Sequence, residues 1–313
     1  MVEILKLAPG PAGQHPPVPR APLRPVASEV FDPLASLLAE TATGHERAFA
    51  RLYELVGGRL FAVACRIMGR ADLAEDVLQE SFLRIWRSAH QYDPAKGPAY
   101  AWLVRIVRNR ALSARTRAAK HDTGRTGLDE DLASDAPDPA AQVLRSEEAR
   151  RVNACLTNLP LNHRRSVAMV YFEGLTHREL ADRLDVQLGT AKSWVRRGLA
   201  KMSQCLNQET ATDWRALVAA DYAIGSLQGA ARRGFERRRE RDARYCRAAD
   251  LWETELAMLT EFLPDRAPPA AVWKRIEQGV KGSRVSFAQP LFWQVTAGCL
   301  AAVVAALLVV LGR

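Results

Sequence analysis

The sequence is poor in the groupings from which metal centres, disulfide frameworks and catalytic sites are built. Its five cysteines (Cys65, Cys155, Cys205, Cys246 and Cys299) are scattered over 313 residues without one CxxC pair, and its six histidines do not cluster with them. That spacing indicates neither a zinc site nor a disulfide framework, and a reducing, cytoplasmic setting is the default. No Ser/His/Asp set, paired carboxylates or phosphate loop is present, so the chain is expected to be no enzyme and to need no cofactor or metal. The first residues lack a charged stretch followed by an apolar one, which excludes a secretory signal peptide. No internal repeat is visible. Acidic residues are also in deficit: 35 Asp plus Glu against 44 Lys plus Arg give a formal net charge of +9. Such a balance suits a polyanionic partner.

Charge is unevenly placed. Residues 40–118 hold 13 basic against 8 acidic side chains and residues 151–205 hold 9 against 4, whereas residues 119–150 between them hold 4 against 8. Two basic blocks joined by an acidic stretch predict two separate nucleic-acid contacts. At this length two or three domains are expected. Residues 1–33, rich in Pro and Gly, cannot build a core and are expected to be disordered. Residues 34–118 read as all-helical, 119–143 as an acidic linker, 144–206 as a second helical domain and 213–280 as a third helical block.

The most informative stretch is residues 160–202. Thr176 and Glu179 form a capping box that should start a helix. Leu180 and Leu184 extend its stripe, Asp185-Val186-Gln187 supplies a turn, and from Thr190 a second helix buries Ala191, Val195, Leu199 and Met202. Lys192, Ser193, Arg196 and Arg197 then share the opposite face. A helix-turn-helix sets such a face in the major groove, where cations meet phosphates and Arg can fork onto guanine. The alternative is a solvated helical hairpin with ordinary surface charge.

Upstream, ADLAEDVLQESFLRIWR (residues 71–87) carries a stripe of Ala74, Val77, Leu78, Phe82 and Ile85. Its outer face of Asp72, Glu75, Asp76, Gln79 and Glu80 is acidic, which in a basic protein points to a protein partner. The loop QYDPAKGPAY follows, with Pro94, Gly97 and Pro98 as breakers. Tyr92, Tyr100 and Trp102 stand beside Arg105, Arg108 and Arg115, a pairing of stacking platforms and cations that binds single-stranded nucleic acid. Closure of the core is the other role open to Trp102. In the third block Arg237-Arg238-Arg239 alternate with Glu236, Glu240 and Asp242 and read as solvated helix faces. Leu291–Leu311 contains no charge over 21 residues. At 1.5 Å per residue this is long enough for a bilayer core, so a C-terminal transmembrane helix over 291–311 is expected, with a buried core helix as the alternative.

These motifs, long and in order, resemble an extracytoplasmic-function (ECF) sigma factor of the sigma-70 family. Residues 46–118 are similar to region 2, with 71–87 as the polymerase-binding helix and AYAWLVRIVRNRALSARTR as the −10 segment. Residues 144–204 are similar to region 4, the −35 reader. The resemblance implies that Asp76, Gln79, Glu80, Phe82 and Trp86 dock core polymerase. By the same token Tyr92, Lys96, Trp102, Arg105, Arg108 and Asn109 meet the −10 strand, and Thr190, Lys192, Ser193, Arg196 and Arg197 face the −35 groove. Pro98 and Ala99 stand where polar residues are common, and Trp194 where Arg is frequent, departures that bear on the promoter sequence.

The third block resembles the cytoplasmic sigma-binding domain of RskA-type anti-sigma factors, through DYAIGSLQGAARRGFERR, Trp252-Glu253 and APPAAVWKRIE. Together these imply an all-α sigma factor autoinhibited by a fused anti-sigma domain and anchored by its C-terminal span to the cytoplasmic face of the inner membrane. Its partners would be core RNA polymerase, promoter DNA, its own third block and the inner membrane. Two other readings stay open: a membrane-tethered helix-turn-helix regulator that never engages polymerase, and an inhibitory scaffold with a decoy sigma half.

Overall fold

The computed structural model describes residues 32–121, 146–206 and 214–282, and every regular element among them is helical. Twelve α-helices are described: α1 Pro33–Ala42, α2 Glu46–Met68, α3 Ala71–Ser88, α4 Ala99–His121, α5 Glu147–Thr157, α6 Leu161–Glu173, α7 His177–Leu184, α8 Leu188–Cys205, α9 Trp214–Ala223, α10 Gly229–Arg241, α11 Ala243–Met258 and α12 Ala270–Gly282. Short 3₁₀ turns cover Ala89–Gln91, Pro94–Lys96 and Leu259–Phe262.

Local chemistry explains most boundaries. Asp32 caps α1 by accepting from the backbone N–H groups of Leu34 (2.9 Å) and Ala35 (3.3 Å), with Pro33 at the first helical position. The expected capping box opens α7: Glu179 N donates to Thr176 Oγ1 at 3.1 Å and Thr176 N to Glu179 Oε2 at 2.6 Å. Asp185 closes α7 in the left-handed region (φ 51°). α8 begins at Leu188, two residues before the expected start. α2 runs unbroken over 23 residues because its apolar stripe continues through Gly57. Gly58 lets residue 266 approach, and its carbonyl accepts from Arg266 N at 3.3 Å.

The apolar faces of all three helical blocks merge into one core. It contains Phe49, Phe61 and Phe82 from α2 and α3, Val167, Val195 and Leu199 from α6 and α8, and Phe235, Trp252 and Ile276 from α10, α11 and α12. The first two blocks pack directly on each other through α2 and α6. The third block lies across both: α11 on α4 and α5, α12 on α3, and α9 on α8. Burial at roughly 25 cal/mol per Å² of apolar surface makes such continuity the main cohesive term between blocks.

Two expectations are corrected. The transmembrane helix expected at 291–311 lies outside the described residues, and among those described no helix is long and apolar enough to cross a membrane. The longest helices, α2 and α4 at 23 residues each, are interrupted by charge, α2 by Arg and Glu and α4 by Arg and Lys. The fold class is corrected to all-helical, with no membrane span among the described residues. The inner membrane as partner, and the chain's anchoring to its cytoplasmic face, fall with it. The second correction concerns cysteine. Cys155 and Cys205, 50 residues apart, are joined in a disulfide with Cα atoms 5.7 Å apart, because α5 crosses the C-terminal end of α8. Cys65 and Cys246 are free. Of the residues 1–33 expected to be disordered, all but Asp32 and Pro33, which open α1, lie outside the described residues, as does nearly all of the linker at 119–143; α4 itself runs on to His121.

Candidate polymerase and nucleic-acid interface

Three sets of side chains were expected to face partners, and the structure treats them differently. On α3, Asp76 and Glu80 are exposed and Gln79 half-buried, whereas Phe82 and Trp86 are core residues. Both rings pack edge-on against Phe49, with centroids 5.9 and 5.2 Å away. The exposed acidic face does not stand alone. Glu80 pairs with Arg110 of α4. Arg275 of α12 reaches Glu75 at 3.4 Å and Asp76 at 3.8 Å. Beside it Trp273 lies over Tyr53 (4.7 Å between centroids) and Phe49 (6.1 Å). Gly279 lets α12 close on α3, since a Cβ there would stand 2.7 Å from Leu83 Cδ2. The third block thus meets the edge of the acidic face with one cation and packs Trp273 on α2 beside it, while Asp76 keeps 71% and Glu80 48% of their side-chain exposure.

The second set gathers around the loop before α4. Tyr92 donates its hydroxyl to the Gly97 carbonyl (3.2 Å) and lies 5.9 Å from the Trp102 ring; Lys96 is exposed beside Asp93 (3.5 Å). Burial pushes the Tyr92 hydroxyl up to about 12, helped by Asp32 and Asp93. Gly97 has φ 138°, and a Cβ there would meet Thr254 Oγ1 of α11 at 2.8 Å. That approach closes a cleft of about 140 Å³ with Tyr92, Lys96, Trp102 and Arg105 on one wall and Arg239, Asp250, Glu253 and Thr254 on the other.

Each cationic or amide group of this set is already engaged. Arg105 donates to Asp250 Oδ1 (3.1 Å) and Glu253 Oε2 (3.3 Å) of α11. Asn109 Oδ1 accepts from Arg232 of α10 at 3.2 Å. Arg108 is 5% exposed and, among the described residues, no carboxylate lies within ion-pair distance of it; its guanidinium donates to the carbonyls of Tyr171 (3.2 and 3.3 Å), Ala223 (2.8 Å) and Ile224 (2.5 Å). These carbonyls lie near the C-terminal ends of α6 and α9, where helix dipoles favour a cation. Burial still drives the Arg108 pKa down. Arg115 bonds the Gly174 carbonyl and Glu179, so a second arginine of α4 holds the end of α6 and the start of α7.

The third set, on α8, is different. Ala191, Val195, Leu199 and Met202 are buried as the spacing required, and Thr190 and Ser193 are half-buried. Lys192, Arg196 and Arg197 are exposed. Arg196 lies 3.9 Å from Asp221 of α9 and keeps 62% of its side-chain exposure. Burial raises the Asp221 pKa, against the pull of Arg196.

Further cross-block groups escaped the sequence reading: Arg151 with Glu255 (2.9 Å), Ser146 with Glu261 (2.9 and 3.0 Å), and Tyr100 with Thr260 (2.9 Å). None of these had a sequence signal, whereas the packing of α12 did. Val272, Ile276 and Val280 recur every fourth residue and mark the apolar face of α12, beside which Trp273 sits.

Comparison with known proteins places this arrangement. Residues 52–121 match the family Sigma-70 region 2, and residues 149–202 match Sigma-70, region 4. The chain is 34% identical over 180 residues to the ECF RNA polymerase sigma factor SigK of Mycobacterium ulcerans (strain Agy99), a match spanning 56% of this chain and 95% of that protein. It is 33% identical over 175 residues to SigK of Mycolicibacterium vanbaalenii (strain DSM 7251 / JCM 13017 / BCRC 16820 / KCTC 9966 / NRRL B-24157 / PYR-1), covering 55% of this chain and 89% of that one. Among solved structures, CnrH in complex with the cytosolic domain of CnrY matches at 24% identity and a TM-score of 0.28, over 57% of this chain and 99% of that chain; a score this low carries no argument.

Proposed function

The chain belongs to the ECF RNA polymerase sigma factor family, and from that premise we propose that it directs core polymerase to promoters and carries its own anti-sigma domain. Members of this family regulate transcription and are not catalysts, so polymerase performs the chemistry.

In this reading residues 34–118 form region 2. Asp76, Gln79 and Glu80 on α3 dock core polymerase, while Phe82 and Trp86 hold that helix from the core side. Tyr92, Lys96, Trp102, Arg105, Arg108 and Asn109 meet the −10 strand by stacking and charge. Residues 144–206 form region 4, and Thr190, Lys192, Ser193, Arg196 and Arg197 face the −35 groove. Residues 213–280, extended by the last turn of α12, are the inhibitor, similar to the RskA type.

One observation carries the inhibitory reading: α9 to α12 engage Arg105, Arg108 and Asn109 of the −10 set and Asp76 of the polymerase set. Arg105 is held by Asp250 and Glu253, Arg108 by the end of α9, and Asn109 by Arg232, while Arg275 takes Asp76. Asp250 and Glu253 offer Arg105 the anionic oxygens that DNA phosphates would offer. A tether as short as residues 207–213 supplies an effective concentration on the order of millimolar when it spans the sites.

Run-off transcription with purified core polymerase tests this. A chain ending at Gln208 should initiate from ECF-type promoters, and the full chain should do so far more weakly. Equal transcription by the two chains would show that the third block inhibits nothing. Absence of open complexes on a library of such promoters would remove the promoter-directing role.

A further inference from the structure

Inhibition in this fold is lopsided. Of the three surfaces assigned to partners, the third block closes over the one on α4, reaches the edge of the one on α3 and leaves the one on α8 open. On α4, Arg108 is 5% exposed and Arg105 has 27% of its side chain accessible, each bonded to helices of that block. On α3, Arg275 reaches Glu75 and Asp76 at the edge of the acidic face, where Asp76 keeps 71% of its side-chain exposure. On α8, by contrast, Lys192, Arg196 and Arg197 project from an exposed face, with exposed Lys201 one turn on and exposed Arg178 on the neighbouring α7. Among the described residues no carboxylate lies within ion-pair distance of Lys192 or Arg197. The third block reaches this face only at its margin, through the long contact of Asp221 with Arg196.

Two histidines report on the same field. His177, on α7, has its pKa lowered by burial and then by Lys192 and Arg196, and His163, on α6, by burial and then by Lys201 and Arg197. The cations therefore act together on one side of α8 rather than being neutralised in pairs. A helix of this width presenting a row of cations and short polar side chains matches the major groove of B-form DNA in shape and sign. A single strand would need aromatic platforms, and Trp194, the one aromatic residue of α8, is half-buried.

Resting on the reading of α3, α4 and α8 given above, we infer that the closed, inhibited chain still binds duplex DNA through α8, so that the inhibitor blocks polymerase docking and −10 recognition but not −35 recognition. The inhibited protein then waits at its promoters. Release of the third block is a local event on DNA, and polymerase is recruited to a site already occupied.

The test uses the full chain, immobilised and exposed to a pool of duplexes with a randomised core. The expected result is enrichment of one short motif. Fluorescence anisotropy on a duplex bearing it should show binding that weakens at least roughly tenfold in the full-chain variant Lys192→Ala with Arg197→Ala. Both residues are exposed, so an unchanged thermal melt will show that the variant is folded. Enrichment of no motif by the full chain overturns the inference, as does a motif whose binding survives that double substitution. Core-polymerase capture, run in parallel on the full chain and on full-chain Asp250→Ala with Glu253→Ala, separates the underlying reading. If the unsubstituted chain captures polymerase as well as this variant does, autoinhibition fails. If instead the loosened variant enriches a motif that the unsubstituted chain does not, autoinhibition stands and the open −35 face is what fails.

Discussion

Arg105 and Asp250, 145 residues apart, meet at 3.1 Å, and the same Asp250 oxygen accepts from Arg239 at 2.5 Å. Glu253 repeats the pattern, 3.3 Å from Arg105 and 3.2 Å from Arg239. The third block thus carries both carboxylates and one of the two cations. Burial opposes the charge on Arg239, but Glu253 and Asp250 outweigh it and hold its pKa above the ordinary arginine range. The block can therefore leave Arg105 without stranding its own acids, a useful property in a contact that must open. The carboxylates themselves cannot be spared, because without them two guanidinium groups face each other in a partly buried place.

Asp250→Ala with Glu253→Ala should therefore release the sigma half. A charge-assisted hydrogen bond contributes about 1.5–3 kcal/mol, so losing this set should raise transcription by the full chain about tenfold or more. Run-off assays with core polymerase at matched concentration check this. Unchanged transcription would mean that the contact contributes nothing to closure.

The cover over α3 should behave likewise. Trp273→Ala removes a ring packed on Tyr53 and Phe49, and large aromatic truncations in packed sites cost about 3–5 kcal/mol. Gly279→Leu drives a side chain into Leu83, which a Cβ alone would already approach to 2.7 Å; overpacking of this kind costs about 1–3 kcal/mol. Both variants should increase capture of core polymerase by the full chain. Truncation at Gln208 should erase the difference.

The sequence reveals most where the interactions are local. The capping box of Thr176 and Glu179 and the stripe Ala191, Val195, Leu199, Met202 depend on residues within a few turns, and the structure has both. The same holds for α3, whose stripe is buried throughout. Phe82 and Trp86 were harder, since an aromatic residue on an amphipathic helix serves a partner or its own core, and only Phe49 decides between them. Closure was expected only from the resemblance of the third block to anti-sigma domains, and the contacts that make it were not legible at all. Arg105 carries the same spacing whether it meets phosphate or Asp250. The pairing of Cys155 with Cys205 depends on how α5 crosses α8, which no spacing records.

That disulfide should stabilise the second block. A crosslink closing a loop of 50 residues removes denatured-state entropy amounting to about 4 kcal/mol in the chain-entropy account, and native disulfides typically give 2–5 kcal/mol. Cys155→Ser with Cys205→Ser should lower the urea midpoint of the unreduced chain accordingly. Reduction of the parent chain should give the same midpoint as the double variant. Cys65 and Cys246, the free cysteines among the described residues, should react with a thiol reagent in the denatured parent without reduction.

Acid should weaken the fold through His177. Its pKa lies below the ordinary 6.5, because burial and then Lys192 and Arg196 disfavour the charged ring. As pH falls through the unfolded value, the unfolded chain takes the proton first, so stability is lost from there downward until the folded pKa is passed. Asp221 and Glu255 act in the opposite sense: burial raises their pKa, so the folded form takes protons earlier than the unfolded one. Comparison with His177→Gln isolates the histidine. The variant should lose less stability than the parent between about pH 7.5 and pH 5.5, as read by denaturant unfolding.

Arg108 joins all three blocks at one point. From α4 its guanidinium bonds the Tyr171 carbonyl of α6 and the carbonyls of Ala223 and Ile224 at the end of α9, and it lies 4.2 Å from the centre of the Tyr171 ring. Nothing else in the described chain replaces these five-donor geometries, since lysine offers a single nitrogen. Arg108→Ala leaves buried carbonyls without donors, at about 1–3 kcal/mol for each group stranded, and should lower the melting temperature of the full chain by several degrees. Arg108→Lys restores the charge and one bond, and should recover only part of the loss. The two variants should also differ from Asp250→Ala with Glu253→Ala in what they release. Breaking the Arg105 contact opens the third block alone, whereas losing Arg108 also frees α6 from α4, so the protease sensitivity of residues 122–145 should rise only in the Arg108 variants. Equal protease patterns in all three would show that Arg108 ties down the third block and nothing more.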